Sequence, residues 1–370
     1  MGISGEVVFQ RVFDLGGTLN MKKARTLLAE MAETGAVTPK RAAPEYVSFA
    51  APIPLNLGSL NLDLRTEDGA PIGLSARLYE VGALGLMLRF PARVEQLSEL
   101  ARFQNLSVLY KGQAQKRAQI FTMLYDAIKP RIKPAFDEVF DVPIEAESYI
   151  AFCLTETPEG AGRLLQLERA QIAALLTSEP HPEKLSEMEI EDTLRNWSSY
   201  YRDDLVIADW DAGLLVEPGG QYEDLLYIFE VANLQLLELR KYDLYLDATL
   251  DRGYDEYERL SKGPPIFTGR AREVVSELSA VRMDLAEVTD EIANTAKFFG
   301  DWYIARVYMG LAGKLHVSDY HKTVEEKLAT LDDLYKSVLQ EMDRRQNLFL
   351  ETAIVLLIVF EVAMALLKSH

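Results

Sequence analysis

Asp14-Leu15-Gly16-Gly17-Thr18 closes a run of alternating Val and Phe. A glycine pair placed there lets backbone N–H groups approach a phosphate while the acid holds a metal-bound water. Such a nucleotide-binding turn should feed the second strand of a hairpin. Instead Met21, Ala24, Leu27, Leu28 and Met31 recur at helical spacing after Asn20, a candidate N-cap, and no later Gly-rich block for an adenosine follows. His316 and His321 flank Asp319 and Tyr320. Five-residue spacing sends the two imidazoles to different helix faces, whereas a metal needs three or four converging ligands. Asp209 and Asp211 alternate around Trp210 with no base beside them, Trp210 is read as core, and no Ser/His/Asp set or redox motif presents itself. Cys153 is the single cysteine, which fits a reducing compartment and the role of a buried small hydrophobe. The expectation is therefore no catalytic residue, no cofactor and no metal.

The balance of charge narrows the partners. Among 370 residues, 57 acids face 39 bases, giving a net charge of -18, a surplus that discourages contact with nucleic acid. Against it stands one basic cluster, Lys111, Lys116, Arg117, Lys129, Arg131 and Lys133, around a helix expected from Gln113 to Ile128 and closed by Pro130. It fits either a solvated helix face or a surface for lipid headgroups or an acidic partner.

The elements that must position these residues divide into a front half of strands and short helices and a helical rear half. Glu6–Leu15 reads as a strand, Met21 onward as a helix until Gly35, and Tyr46–Ala50 as a strand, after which Pro52 and Pro54 demote their surroundings to an edge or loop. Arg77–Tyr79 and Leu84–Phe90 form a hairpin about Val81-Gly82-Ala83, and Val94–Leu106 returns as a helix with Leu97, Leu100 and Ala101 on one face. This order suits a ferredoxin-like two-layer α+β fold over residues 1–140. Glu147–Leu154 (strand), Arg163–Leu176 (helix), Ile190–Trp197 (helix) and Leu205–Val216 (strand pair) repeat the broad order, so 141–218 reads as a second, possibly duplicated layer.

After Pro218-Gly219-Gly220 the pattern is helical, with a domain expected at 219–317. One helix runs from Tyr222 to about Leu260, ended by Gly263-Pro264-Pro265, and Val274–Phe299 gives an antiparallel companion. Asn233, Gln235, Glu238, Arg240 and Asp243 make the first of these unusually polar. They read as a solvated face or as a contact surface for a partner. Trp302–Lys314 is a shorter helix, and Ser318 is a candidate cap for the next.

That next helix is expected to be a coiled-coil stalk over 318–347, with Val324, Leu331 and Val338 at one core position and Leu328, Tyr335 and Met342 at the other. The same phase continues through Phe349, Leu356, Val359, Ala363 and Leu366. From 348 to 367 the charges thin to Glu351 and Glu361, and a helix of that length spans roughly 30 Å, the thickness of a hydrocarbon core. The reading is a single transmembrane helix at the C-terminus, inserted after synthesis. Glu351 lies near the entrance and can reach headgroups. Glu361 lies past the middle, where an ionised carboxylate costs on the order of 2 to 3 kcal/mol, so it is expected to be neutral, paired or turned inward. A neutral acid bonding between helices suits it better than a ring of carboxylates lining an ion path, since one spanning helix with no pore-lining polar stripe makes a poor conduit.

Three blocks are similar to stretches of the "required for meiotic nuclear division" family and its uncharacterised bacterial relatives. They are Asp204–Leu215, Phe229–Arg240 and Ala305–Tyr308, and Leu350-Glu351 before the apolar run carrying Glu361-Val362 is similar to that family's closing membrane helix. The resemblance covers about Asp203 to Leu367, and before that only the hairpin at Arg77–Phe90 is similar to the family's early Gly-containing hairpin. Thr352 stands where the family commonly carries Trp, so that aromatic-belt residue is missing. The resemblance implies attachment to an inner membrane by the last helix, as in mitochondrial members linked to support of translation. It implies no catalytic residue.

The sequence thus predicts a non-enzymatic scaffold or tether, homo-oligomeric through its C-terminal helices, with its body in the cytoplasm, one pass through the inner membrane and an unknown protein partner. Two rivals stand beside it. One is ion transport or its regulation of the CorA type, whose magnesium channels carry two spanning helices with a Gly-Met-Asn loop between them. The other is nucleotide binding at Asp14–Thr18.

Overall fold

The N-terminal strand forms the spine of a seven-stranded sheet in the computed structural model, which describes residues 2–29, 31, 52–60, 62–136, 146–158, 160–262, 275, 276, 279 and 302–368. β1 (Ile3–Asp14) is flanked on both sides by antiparallel strands, β5 (Ala83–Val94) and β8 (Ala146–Glu156). β4 (Gly73–Tyr79) pairs outside β5, so the order β4-β5-β1-β8 is a ferredoxin-like antiparallel arrangement, completed not within residues 1–140 but by β8, from the stretch assigned by sequence to a second layer. β2 (Ile53–Leu55), which contains Pro54, is the outer edge beyond β4, where the missing N–H costs nothing. A separate three-stranded sheet joins β3 (Leu64–Arg65), β6 (Ser107–Tyr110) and β7 (Gln113–Lys116). Tyr46–Ala50 lies outside the described residues.

The expected second layer does not stand apart. β9 (Leu205–Ala208) and β10 (Ala212–Val216) extend the same sheet, β10 lying parallel to β8, because β8 offers its second edge and the intervening helices carry the chain back across one face. Those helices, α3 (Ala161–Leu167), α4 (Arg169–Leu176) and α5 (Glu187–Leu194), pack with α1 (Met21–Leu27) and α2 (Arg117–Ile132) over Val7, Phe9, Phe13, Leu86, Leu88, Phe90, Phe152 and Leu214. Asn20 caps α1 by accepting from Lys23 N at 3.1 Å, as its type predicts.

Several boundaries differ from the sequence reading, each for a local reason. Gln113–Lys116 is a strand rather than helix, because Lys111 and Gly112 both take positive φ and make a two-residue hairpin turn. α2 runs through Pro130, which sits in the last turn and forfeits one backbone bond, to the carbonyl of exposed Asp126. Leu97–Asn105 is a 3-10 helix, so Phe103 rather than Ala101 joins Leu97 and Leu100 in the core at three-residue spacing. Glu168 breaks the helix expected over Arg163–Leu176 into α3 and α4.

Three helices complete the described chain: α6 (Glu223–Lys262), α7 (Trp302–Lys314) and α8 (Val317–Lys368). α7 coincides with its expected span. His316, at φ +52°, turns the chain from α7 into α8, so Ser318 falls in the first turn of α8 instead of capping it. Of the helix expected over Val274–Phe299 only Val275, Ser276 and Ser279 are described, and these are helical; the stop at Gly263-Pro264-Pro265 lies outside the described residues.

The chain forms two compact units, the first comprising Met1–Glu238 with Asn294–Ser318, the second Leu239–Ala293 with Asp319–His370. In the second, Lys327 Nζ bridges Asp243 and Asp247 at 2.6 Å each, and Arg344 senses Tyr257, so α6 and α8 run side by side in the same direction. Burial alone would lower the Lys327 pKa, but the two aspartates outweigh it and raise it. Val324, Leu331 and Val338 are fully covered within this unit, together with Leu246 and Leu260 of α6.

Candidate functional site

In the first unit α6 lies on the sheet face opposite α1 and α2. Gln10 of β1 donates to the Leu226 carbonyl at 2.8 Å, and Arg89 of β5 grips Glu223 at the start of α6 with two bonds of 2.7 Å while also reaching Glu6 at 2.9 Å. A bidentate guanidinium on an acid in the first helical turn complements the helix dipole. Two glycines let the helix come close. A Cβ at Gly213 would stand 2.8 Å from the Phe229 ring, and one at Gly85 would collide with the Glu230 carboxylate.

Glu230 is the most deeply placed acid of this face, with its side chain 1% exposed. Arg77, directly opposite Gly85 in the β4/β5 register, donates Nη1 to Glu230 Oε2, and its guanidinium lies 5.4 Å from the Tyr227 ring. Glu230 Oε1 has no hydrogen-bond partner among the described residues. Burial pushes the Glu230 pKa up, with Arg77 pulling against it, and burial pushes Tyr79 well above the ordinary phenol value and Tyr227 to about 12. This set holds α6 to the sheet. Its residues lie 153 positions apart in sequence, and the signal that could have found it is an isolated glycine, Gly85, inside a strand of large side chains, which marks a close approach.

The polar residues read from sequence as a solvated face, or as a contact surface for sister helices or a partner, are placed inside instead. Asn233, Gln235 and Glu238 are 2%, 5% and 3% exposed, Asn233 Nδ2 donates to the Phe229 carbonyl at 2.8 Å, and Gln235 accepts from the Tyr308 hydroxyl of α7. Burial raises the Tyr308 pKa to about 12. The physical reason is that sheet and α7 cover opposite flanks of α6, so its polar stripe becomes a hydrogen-bonded interior. Arg240 is half-buried and belongs to the second unit.

α7 is tied down at its other end by Lys314. Its ammonium contacts Asp192 Oδ2 at 2.9 Å and Asp209 Oδ1 at 3.1 Å. Burial alone would lower the Lys314 pKa; the two aspartates outweigh it and raise it, and the Lys314 bond lowers that of Asp192. Desolvation, and then the neighbouring Asp209, raise the pKa of Asp211. The three blocks Asp204–Leu215, Phe229–Arg240 and Ala305–Tyr308 thus meet through Gly213 with Phe229, and Gln235 with Tyr308. Trp210, expected in the core, is 43% exposed at the tip of the β9–β10 turn, its ring 5.7 Å from that of His316. Cys153 is fully buried, as expected.

The glycine turn after β1 is spent on the fold. Leu15 N and Leu19 N donate to the carbonyls of Gly82 and Glu80, and Gly16 N donates to Asp14 Oδ1 at 3.0 Å. Gly82, at φ +77°, leaves no room for a Cβ against the Gly17 carbonyl. The basic cluster also divides. Arg117 lies 3.6 Å from the centroid of the Phe9 ring, donating to the Phe103 and Gln104 carbonyls, and burial lowers its pKa to about 10. Lys129 donates to the Tyr125 hydroxyl at 2.7 Å, while Lys111, Lys116 and Lys133 stay exposed. No group of three metal-ligating side chains occurs among the described residues.

In the second unit the seam of α8 that was read as a site for sister copies is filled inside the chain, at Val324, Leu331, Val338 and Met342. Beyond it the helix changes character. Glu341 accepts from Arg344 and Arg345 at 2.7 and 2.9 Å, and from Leu348 onward Phe349, Leu356, Val359 and Leu366 are all at least 48% exposed. Glu351, Glu361 and Ala363 are exposed as well. This helix is long and apolar enough to cross a membrane, with mean hydropathy 2.0 over its most apolar window and none of that window buried.

Comparison with known proteins bears on the first unit. The Uncharacterized protein MJ0711 of Methanocaldococcus jannaschii is 27% identical over 222 residues, 60% of this chain and 66% of that protein, so the chain covers just under two thirds of its relative's length. No solved structure matches. Residues 4–223, from β1 to the first residue of α6 and hence the whole sheet with α1 to α5, match the family described as Uncharacterized protein MJ0711, N-terminal domain, and the chain belongs to that family.

Proposed function

We propose that this chain is a non-enzymatic scaffold or tether, held in a membrane by residues 348–367 and assembling with copies of itself. One observation carries the reading: a long apolar run of helix with none of its most apolar window buried among the described residues, joined to a body with its own buried apolar core. An isolated helix with that surface is stable in hydrocarbon, where its backbone is internally bonded, and not in water. Arg344 and Arg345, just before the apolar run, support a cytoplasmic body, since basic residues flank membrane helices on that side. The similarity of the last helix to that of the "required for meiotic nuclear division" family supports an inner membrane. The internal use of the Asp14–Thr18 turn favours the scaffold over a nucleotide-dependent enzyme.

The test is a carbonate wash of membranes from cells making the full chain, beside a version ending after Gln346. The full chain is expected to stay in the pellet and the shorter one to become soluble with an unchanged thermal transition. Recovery of the full chain in the supernatant, free of detergent, would reject the anchor.

A further inference from the structure

Solvent-exposed aromatic residues gather on one face of the first unit. Trp197, Tyr200 and Tyr201 lie in the stretch before β9, and Trp302, Arg306 and Met309 form the outward stripe of α7 at i, i+4 and i+7. Trp302 is 75% exposed and Tyr201 66%. The two segments make one surface. The Tyr200 ring lies 4.8 Å from Tyr201 and 5.4 Å from Tyr303 of α7, Arg306 donates to the Ser199 carbonyl at 3.1 Å, and Asn196 donates to the Gly310 carbonyl at 3.4 Å.

The face is held rigid from below. Asp204, a buried carboxylate, uses one oxygen to accept from Tyr200 N at 2.7 Å and the other to accept from Tyr201 N at 2.9 Å. Ser198 exchanges both backbone bonds with Val206 at 2.8 Å. A buried acid therefore fixes two tyrosines whose rings stand in water, which removes much of the ordering cost of binding something there.

We propose that this face is where two copies of the chain associate, a statement that rests on the homo-oligomeric part of the proposed function and gives it a surface. The coiled-coil seam of α8 is filled within the chain and so is closed to a sister copy. Trp, Tyr, Met and Arg are the side chains enriched at the centres of protein interfaces. At 150 to 250 Å² per aromatic side chain, the exposed rings offer roughly 500 Å² per copy, toward the ~800 Å² of a standard interface. The patch also carries both signs of charge, with Arg202, Asp203 and Arg306 exposed among the rings, the mixture that a two-fold contact can pair with itself.

The experiment uses the full chain in lipid nanodiscs and in mild detergent, with mass measured across a concentration series. The wild type is expected to be dimeric. Trp302→Asp with Tyr201→Asp is expected to weaken dimerisation on the order of 100-fold or more, the loss of two interface anchors, while its thermal transition and carbonate resistance stay as they were. Because Cys153 is the single cysteine and is buried, Tyr201→Cys gives a clean second measurement: a bis-maleimide is expected to link two copies. A wild type that stays monomeric, a dimer that survives the double substitution, or a Tyr201→Cys chain that cannot be linked would each overturn the proposal. A chain that washes off membranes yet still dimerises through this face would reject the anchor and leave the interface standing.

Discussion

Glu230, Asn233, Gln235 and Glu238 on α6 are polar and buried, whereas the apolar side chains from Leu348 to Leu367 on α8 are exposed. The two helical stretches thus reverse the usual relation between side-chain type and solvent. In α6 the reversal is resolved inside the protein, because Arg77 and Tyr308 supply charge and hydrogen bonds that offset desolvation. Nothing in the described residues offsets the exposure of α8. That stretch is instead long and apolar enough to cross a membrane.

Charging the apolar run is expected to break this contrast most severely. Leu356→Arg with Leu357→Arg places two cations near the middle of the span, at about 2.5 to 3.5 kcal/mol each. The membrane-bound fraction in a carbonate wash should fall sharply while the unfolding transition of the body stays in place.

Removing the charge that balances α6 comes next. Glu230→Ala leaves the Arg77 guanidinium buried beside no acid, and breaking such a pair costs about 3 to 5 kcal/mol. Urea denaturation should show that loss, and Arg77→Met with Glu230→Leu should recover most of it. No recovery would mean that the pair does more than compensate itself.

Lys314→Met is expected to cost about 1 to 3 kcal/mol near neutral pH, because Asp209 loses its cation. The sign of its pH dependence follows from the partners. Asp192 has a lowered pKa in the folded protein, so its contribution is complete above the usual carboxylate range and is lost as pH falls through the lowered value. Lys314 is raised, so its contribution is complete below the usual lysine range and is lost as pH rises past it. The gap between wild type and variant should therefore be widest at neutral pH and narrow toward pH 3, as measured by denaturation at several pH values. Tyr308→Phe gives the smallest effect, about 1 kcal/mol from the single bond to Gln235.

Much of the fold was legible. The strand at Glu6–Leu15, the hairpin around Gly82, the Asn20 cap and the span of Trp302–Lys314 all follow from local rules of turn, cap and period that need no distant partner. Gln113–Lys116 was misread because its residues suit a helix as well as a strand, and the Lys111-Gly112 turn decided between them. The polar face of α6 was misread for a different cause. Periodicity shows which residues share a stripe and gives no account of what lies against that stripe.

The amino-acid order alone determined the membrane-like helix, since twenty residues with two charges announce their preferred solvent without any contact being known. It also determined the first strand and the hairpin about Gly82, through alternation and turns. Only the tertiary structure decided that β8 to β10 join one sheet, that Glu230 meets Arg77, and that the seam of α8 is filled within its own chain. Burial is a property of pairs of surfaces, and the second surface of each pair here comes from a part of the chain far away in sequence.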